Sequence, residues 1–229
     1  GKSVEHEISV ISAIQAINYL NTEKYDVIPI YISKNNEMYV GDEIGKIESY
    51  RDIKSLIEKS TRVTLVNTDK TTQIIRYPHK AFANDVLGTI DVAFPIVHGT
   101  NVEDGTIQGY LAMLNLPTVG CDLTSSAVGM DKYVMKTVLK DNDIPVLDCK
   151  CFTTKDAANT DVIVETVEKS FEYPVIVKPI NLGSSVGITK AADKTALYAA
   201  LDTAFTYASK ILVEPAVQNL KEINCSVVG

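Results

Sequence analysis

A chain of 229 residues has room for one large or two ordinary domains, and its 45% apolar and 22% charged residues are those of a soluble globular protein. The formal charge of −7 argues against a general nucleic-acid binder, so any phosphate site must be local. No apolar run approaches the roughly 20 residues of a membrane span. The four cysteines, Cys121, Cys149, Cys151 and Cys225, are scattered without a C-x-x-C pair, which points away from a zinc site or disulfide framework and toward idle thiols in a reducing cytosol. No signal peptide is visible, but Gly1 is not a natural start and the first residues look cut from inside a protein, so targeting is not legible from this end.

In chain order, Gly1-Lys2-Ser3 leads into a helix from about Val4 to Leu20, with Val10, Ile14 and Ile17 on one face. Glu5 falls in its first turn, where an acid either suits the helix dipole or faces a ligand ammonium. Tyr25 to Ser33 reads as a strand, Lys34 to Glu37 as a turn, and Met38 to Val40 as a further strand. A short helix is expected over Arg51 to Lys59, and strands over Arg62 to Val66 and Thr72 to Arg76. Nothing between Tyr25 and Leu87 makes a functional case. Ile90 to Val97 is near-continuously apolar, the profile of a central parallel strand covered on both faces. It ends in His98-Gly-Thr-Asn-Val-Glu-Asp-Gly105, ahead of a helix carrying Ile107, Tyr110, Leu111 and Leu114. Ligands gather beyond the carboxyl ends of such strands, so His98 and Glu103 become site candidates rather than merely structural residues.

Leu116 to Gly120 is a short strand, and Thr124 to Met130 is small enough to serve as a domain crossover. Asp131 can cap a helix from Lys132 to about Lys140. Lys132 then opposes the dipole of its own helix, which favours a bound anion. Strands follow at Asp148 to Phe152 and Ile211 to Glu214, with helices at Val162 to Phe171 and Asp193 to Tyr207. A last strand is expected from Glu222 to Val228. Between them, Val175-Ile176-Val177 is a strand fenced by Pro174 and Pro179 and closed by Lys178. It opens into Asn181-Leu-Gly-Ser-Ser-Val-Gly187, followed by a strand from Ser185 to Thr189. Small residues let backbone N–H groups close on an anion. The bland reading is a hairpin with small turn residues; the sharper one is a polyphosphate loop with a lysine at its mouth. It is not a Walker loop, whose lysine follows the second glycine.

Taken together these motifs resemble the ATP-grasp superfamily and, within it, the D-alanine–D-alanine ligases. Ser-x-Glu-His-Glu-Ile-Ser at Ser3 to Ser9, the run from His98 to Gly109, Met130-Asp-Lys, and Val177-Lys-Pro with Gly183-Ser-Ser-Val-Gly stand in the family's order. Val102 departs from the family's usual glycine, and should reshape that loop without removing its acids. The family also continues into a second half with a substrate-closing loop, an arginine, and the magnesium-binding carboxylates. No such motif lies within this chain.

The resemblance implies an α/β fold: an open parallel-sheet N-terminal domain, pre-ATP-grasp and Rossmann-like, at 1–120, then a truncated ATP-grasp domain. Its small subdomain would occupy 121–208, and the start of its second subdomain 209–229. By resemblance, Glu5 binds the first D-alanine ammonium, Ser184 orients that network, and His98 and Glu103 flank the same substrate. Lys132, Lys178, Gly183, Ser184, Ser185, Val186 and Gly187 would meet the phosphates of ATP. Glu214, Val217 and Glu222 would hold adenine and ribose. Magnesium ligands are expected beyond Gly229, with none within the chain. The implied protein is a cytoplasmic homodimer making a peptidoglycan precursor from ATP and D-alanine, without nucleic-acid or membrane partners. A D-lactate or D-serine ligase, a non-catalytic fragment, and a biotin-carboxylase-like enzyme are the rivals. A chain of this extent should be inactive alone, should expose apolar surface at Ile211 to Val213, and should keep the Gly183 to Gly187 loop mobile without nucleotide.

Overall fold

Alternation builds the first sheet. Val63 and Leu65 are buried while Arg62 and Val66 are exposed, and across the ladder Thr72 and Ile74 are buried in turn. The computed structural model describes residues 1–69, 71–80, 84–183 and 185–226, which fall into two compact units, Gly1–Met130 and Asp131–Gly229.

In the first unit, helix α1 (His6–Tyr19) precedes strands β1 (Tyr31–Ile32) and β2 (Met38–Val40). A 3-10 turn (Ile47–Arg51) and helix α2 (Ile53–Glu58) follow. Then come β3 (Thr61–Asn67), β4 (Thr72–Arg76), β5 (Val86–Ile90), α3 (Thr106–Met113) and α4 (Leu123–Met130). The five strands pair in sequence order, every ladder antiparallel. Val63, Leu65 and Ile74 pack with Leu111 of α3 and Leu116 behind it. A second cluster joins Tyr31, Tyr39, Ile44 and Leu56.

Three expectations are corrected here. The sheet is a meander, not an open parallel sheet, although the fold remains mixed α/β. The run Ile90 to Val97 leaves its ladder at Ile90, and its one parallel contact among the described residues is the isolated bridge Ala93–Thr118. Pro95 offers no N–H to extend a ladder, and Val92 and Phe94 stay about half exposed, so the run is not covered on both faces. The strand foreseen over Tyr25 to Ser33 shrinks to Tyr31–Ile32.

The second unit begins with α5 (Lys132–Asp141), capped by Asp131, whose carboxylate accepts the N–H groups of Tyr133 and Val134. There follow β6 (Lys150–Thr153), α6 (Thr160–Ser170), β7 (Val175–Pro179), β8 (Thr189–Ala191), α7 (Lys194–Tyr207) and β9 (Lys210–Pro215). Its antiparallel sheet has the order β6-β9-β7-β8. One face, through Val175, Val177, Ile211 and Val213, packs on Ile163, Val164 and Val167 of α6 and Leu197, Ala200, Leu201 and Ala204 of α7. Fully burying such side chains contributes ~1.5–3 kcal/mol each. Because side chains alternate, the other face carries Ile176, Lys178, Leu212 and Glu214.

β9 sits between β6 and β7, and Ile211, Leu212 and Val213 are fully buried, which overturns the expected exposed strand. The turn after β7 also runs longer than foreseen: Ser185 to Gly187 turn with positive φ at Ser185 and Gly187, and the ladder resumes at Thr189. Glu222 to Ser226 form no strand; Val227 and Val228, the rest of that expectation, lie outside the described residues. α4 belongs to the first unit, where the Leu123 side chain lies against Gly105 and Gly109.

Candidate active site

In the first unit, the start of α1 and the loop after Val97 are sewn together by serines. Ser3 Oγ donates to the His98 carbonyl at 2.8 Å and accepts the Glu5 N–H at 3.0 Å. Ser9 Oγ donates to the Glu5 carbonyl at 3.1 Å and accepts the His98 N–H at 2.9 Å. His98 Nε2 lies 3.0 Å from Ser12 Oγ. Glu103 accepts the Gly99 N–H through Oε2 at 2.9 Å, and its own N–H returns to the Gly99 carbonyl at 2.9 Å.

Gly99 is the reason these groups can meet. Its φ is +87°, and a Cβ there would stand 2.2 Å from Ser3 Oγ and 2.8 Å from Glu5 Oε2. Glu5 occupies the N-cap position of α1, yet its side chain caps no helix N–H. Of the helix-end reading, then, only the interaction with the helix dipole remains. The carboxylate is instead turned to the Gly99 backbone, half-buried beside His98 and Glu103. In the same loop Val102 is buried. The acids persist as expected. Burial works to raise the Asp104 carboxyl, but hydrogen bonds from Thr106 and Asn101 outweigh it and hold it below the usual carboxylate range.

The second unit gathers charge on the open face of its sheet. Lys178 Nζ pairs with Glu214 Oε1, and Lys136 Nζ pairs with Glu214 Oε2 at 2.7 Å. All three side chains are largely buried. Lys136 also donates to the Leu147 carbonyl at 2.8 Å. One turn earlier on α5, Lys132 donates from Nζ to the Leu182 carbonyl at 2.6 Å and from its backbone to the Ile180 carbonyl at 3.0 Å. The start of α5 is thereby tied to the strand of chain leading into the glycine loop. That loop turns tightly: Val186 N–H donates to the Gly183 carbonyl at 3.1 Å, and Gly187, at φ +72°, leaves its Cβ direction against Pro179 and Tyr207. Ser184 lies outside the described residues.

The structure thus brings together Glu5, His98 and Glu103 in one unit, and Lys132, Lys178, Gly183 and Glu214 with Ser185, Val186 and Gly187 around the end of β7 in the other. Val217 and Glu222 follow Glu214 in the chain after β9. Both are exposed beyond β9, and Glu222 has no ion pair or hydrogen bond among the described residues. Sequence reasoning missed Lys136. The signal was there: two lysines at i and i+4 repel on one helix face unless an anion answers them. Among the described residues no group of three or more His, Cys, Asp or Glu side chains could hold a metal ion, and Glu214, clamped by two ammonium groups, does not suit a cation. No helix among the described residues is long and apolar enough to cross a membrane.

Residues 1–121 match the family model described as D-ala D-ala ligase N-terminus, and residues 138–229 match that described as D-ala D-ala ligase C-terminus. The chain is 39% identical to a D-alanine–D-alanine ligase of Thermosipho melanesiensis over 228 residues, covering 100% of this chain and 60% of that one. It is 40% identical to a ligase of the same name from Caldicellulosiruptor bescii over 230 residues, covering 100% and 61%. Among solved structures it resembles the D-alanine–D-alanine ligase of Coxiella burnetii, with a TM-score of 0.77 and 32% identity over 95% of this chain and 62% of that one. It resembles equally the VanG D-Ala:D-Ser ligase of Enterococcus faecalis, with a TM-score of 0.77 and 31% identity over 95% and 61%. The chain spans about 60% of the length of the curated relatives it matches. On the family models and the shared motif order, this chain belongs to the D-alanine–D-alanine ligase family.

Proposed function

We propose that this chain carries the first amino-acid site and the floor of the nucleotide site of an ATP-dependent ligase that joins two D-alanines for peptidoglycan synthesis. The observation that carries the reading is Glu5, whose side chain makes no helix-cap hydrogen bond and lies against Gly99, while Ser3 and Ser9 tie its backbone N–H and carbonyl to the backbone of His98. A fixed carboxylate is the partner an amino-acid ammonium requires, with His98 and Glu103 beside it. Ser184 completes this part of the proposal through the network that orients Glu5.

In the reaction, the first D-alanine carboxylate attacks the γ-phosphorus of ATP, and the bond to ADP breaks. The resulting acyl phosphate is attacked at carbon by the amine of the second D-alanine, which loses a proton, and inorganic phosphate leaves. Phosphoryl transfer needs positioning and neutralisation of charge more than covalent help. Lys132 and Lys178, with the Gly183 to Gly187 loop, would serve the phosphates. Glu214, Val217 and Glu222 would hold adenine and ribose. Magnesium, when bound, would neutralise phosphate charge; the described residues provide no cluster for it, and the positive charge they would offer the phosphates comes from lysines.

D-Serine is the alternative second substrate, favoured by the equal likeness to the D-Ala:D-Ser ligase. Assembly as a homodimer and a cytoplasmic location belong to the same proposal and rest on the family likeness. The test is Glu5→Gln in the complete ligase, this chain extended to the length of its relatives. A raised KM for the first D-alanine with an unchanged melting temperature supports the reading. Unchanged kinetics with lost stability would return Glu5 to a helix-end role.

A further inference from the structure

We propose that Lys136 is a positioning residue of the nucleotide site: it keeps the Glu214 carboxylate fixed and charge-balanced when nucleotide phosphate draws Lys178 away. The inference rests on the reading above in which Glu214 receives adenine and Lys178 meets phosphate. The three side chains form a chain of alternating charge, Lys178–Glu214–Lys136. Glu214 is buried, and a buried carboxylate stripped of its only counterion is strongly unfavourable. If Lys178 turns to phosphate, a second cation has to remain.

The geometry assigns that part to Lys136. The two lysines face different oxygens of Glu214, so release of Lys178 opens Oε1 while the ion pair of Lys136 with Oε2, 2.7 Å apart, remains. A carboxylate whose charge stays balanced at Oε2 keeps Oε1 as an acceptor, suited to the exocyclic amine of adenine. Lys136 is itself held by the Leu147 carbonyl at 2.8 Å, an anchor independent of any ligand. Lys132, one turn earlier, is engaged by the carbonyls of Ile180 and Leu182, so it does not share this task. Two lysines of one helix thus divide the work, one bracing the chain ahead of the glycine loop and one bracing the acid of β9.

The test compares Lys136→Met, Lys136→Arg and Glu214→Gln in the complete ligase, with ATP and inosine triphosphate as nucleotides. Inosine triphosphate presents a carbonyl where adenine presents its amine. Lys136→Met is expected to raise the KM for ATP about tenfold, the scale of one hydrogen bond to a charged group, and to leave the KM for D-alanine unchanged. It should also shrink the preference for ATP over inosine triphosphate, and Lys136→Arg should restore both. A lowered melting temperature with intact ATP preference would show a purely structural tie and overturn the proposal. If Lys136→Met does not fold, Lys136→Gln carries the same expectations. Glu214→Gln separates the two levels. Loss of preference in Glu214→Gln but not in the Lys136 variants overturns the role of Lys136 alone. An unchanged preference in Glu214→Gln overturns the adenine reading beneath it.

Discussion

Gly99→Ala probes the packing of the proposed amino-acid site. The added Cβ would lie 2.2 Å from Ser3 Oγ and 2.8 Å from Glu5 Oε2, both closer than real Cβ contacts come, and at φ +87° the backbone itself disfavours a side chain. The left-handed conformation costs an L-residue roughly 1–2 kcal/mol. Ser3 must also move, which weakens its hydrogen bonds to the His98 carbonyl and from the Glu5 N–H, at about 1 kcal/mol each. The total, about 3 kcal/mol, corresponds to a fall of roughly 6–12 °C in melting temperature for a chain of this size. Thermal and urea unfolding of the 229-residue chain would read it directly. Gly129→Ala is the control, since a Cβ at that helical position meets nothing within 4 Å, and removing a helical glycine is expected to leave stability equal or slightly higher. In the complete ligase Gly99→Ala should also raise the KM for the first D-alanine, because Glu5 is pushed from its seat. A Gly99→Ala protein that melts with wild type and binds D-alanine normally would refute the assembly of Ser3, Glu5 and Gly99 described here.

Lys178→Met keeps the packing stem and removes the charge; the KM for ATP of the complete ligase should rise, and an unchanged value would remove Lys178 from the phosphate site. Burial pushes the Cys149 and Cys151 thiols up, so less thiolate is present at pH 8 and iodoacetamide should label both more slowly than exposed Cys121 and Cys225; equal labelling rates followed by mass spectrometry would contradict the packing around β6. The 229-residue chain alone, spanning about 60% of its relatives' length, is expected to release no D-alanine-dependent phosphate from ATP, and measurable release would mean that the charge-stabilising groups lie within it.

Much of the architecture is written locally. Val63, Leu65 and Ile74 announce their strands by alternation, and Asp131 and Asp193 announce their helices by capping, because these signals depend on near neighbours. The direction of the first sheet is not local. An apolar run such as Ile90 to Val97 looks the same whichever way its partner runs, and Pro95 alone hinted that its ladder would end early. The burial of Ile211 to Val213 likewise depends on β6, some sixty residues earlier in the chain, closing the far edge of β9. At the sites, Glu5, His98 and Glu103 stood out through motif order. Gly99, which lets them meet, reads as one more loop glycine until Ser3 is placed beside it. Lys136 escaped because its meaning lies in Glu214, which reaches it only through the register of β7 and β9.

In the proposed ligation, a carboxylate of D-alanine becomes an acyl phosphate before the second amine attacks. The measurement that tests it most directly uses D-alanine labelled with oxygen-18 in its carboxylate, turned over with ATP by the complete ligase, with the released phosphate examined by mass spectrometry. The attacking oxygen leaves with phosphorus when the second amine displaces it. One oxygen-18 atom in each released phosphate is therefore predicted, and that transfer should fall with turnover in Glu5→Gln. Unlabelled phosphate accompanying dipeptide formation would contradict the acyl-phosphate route.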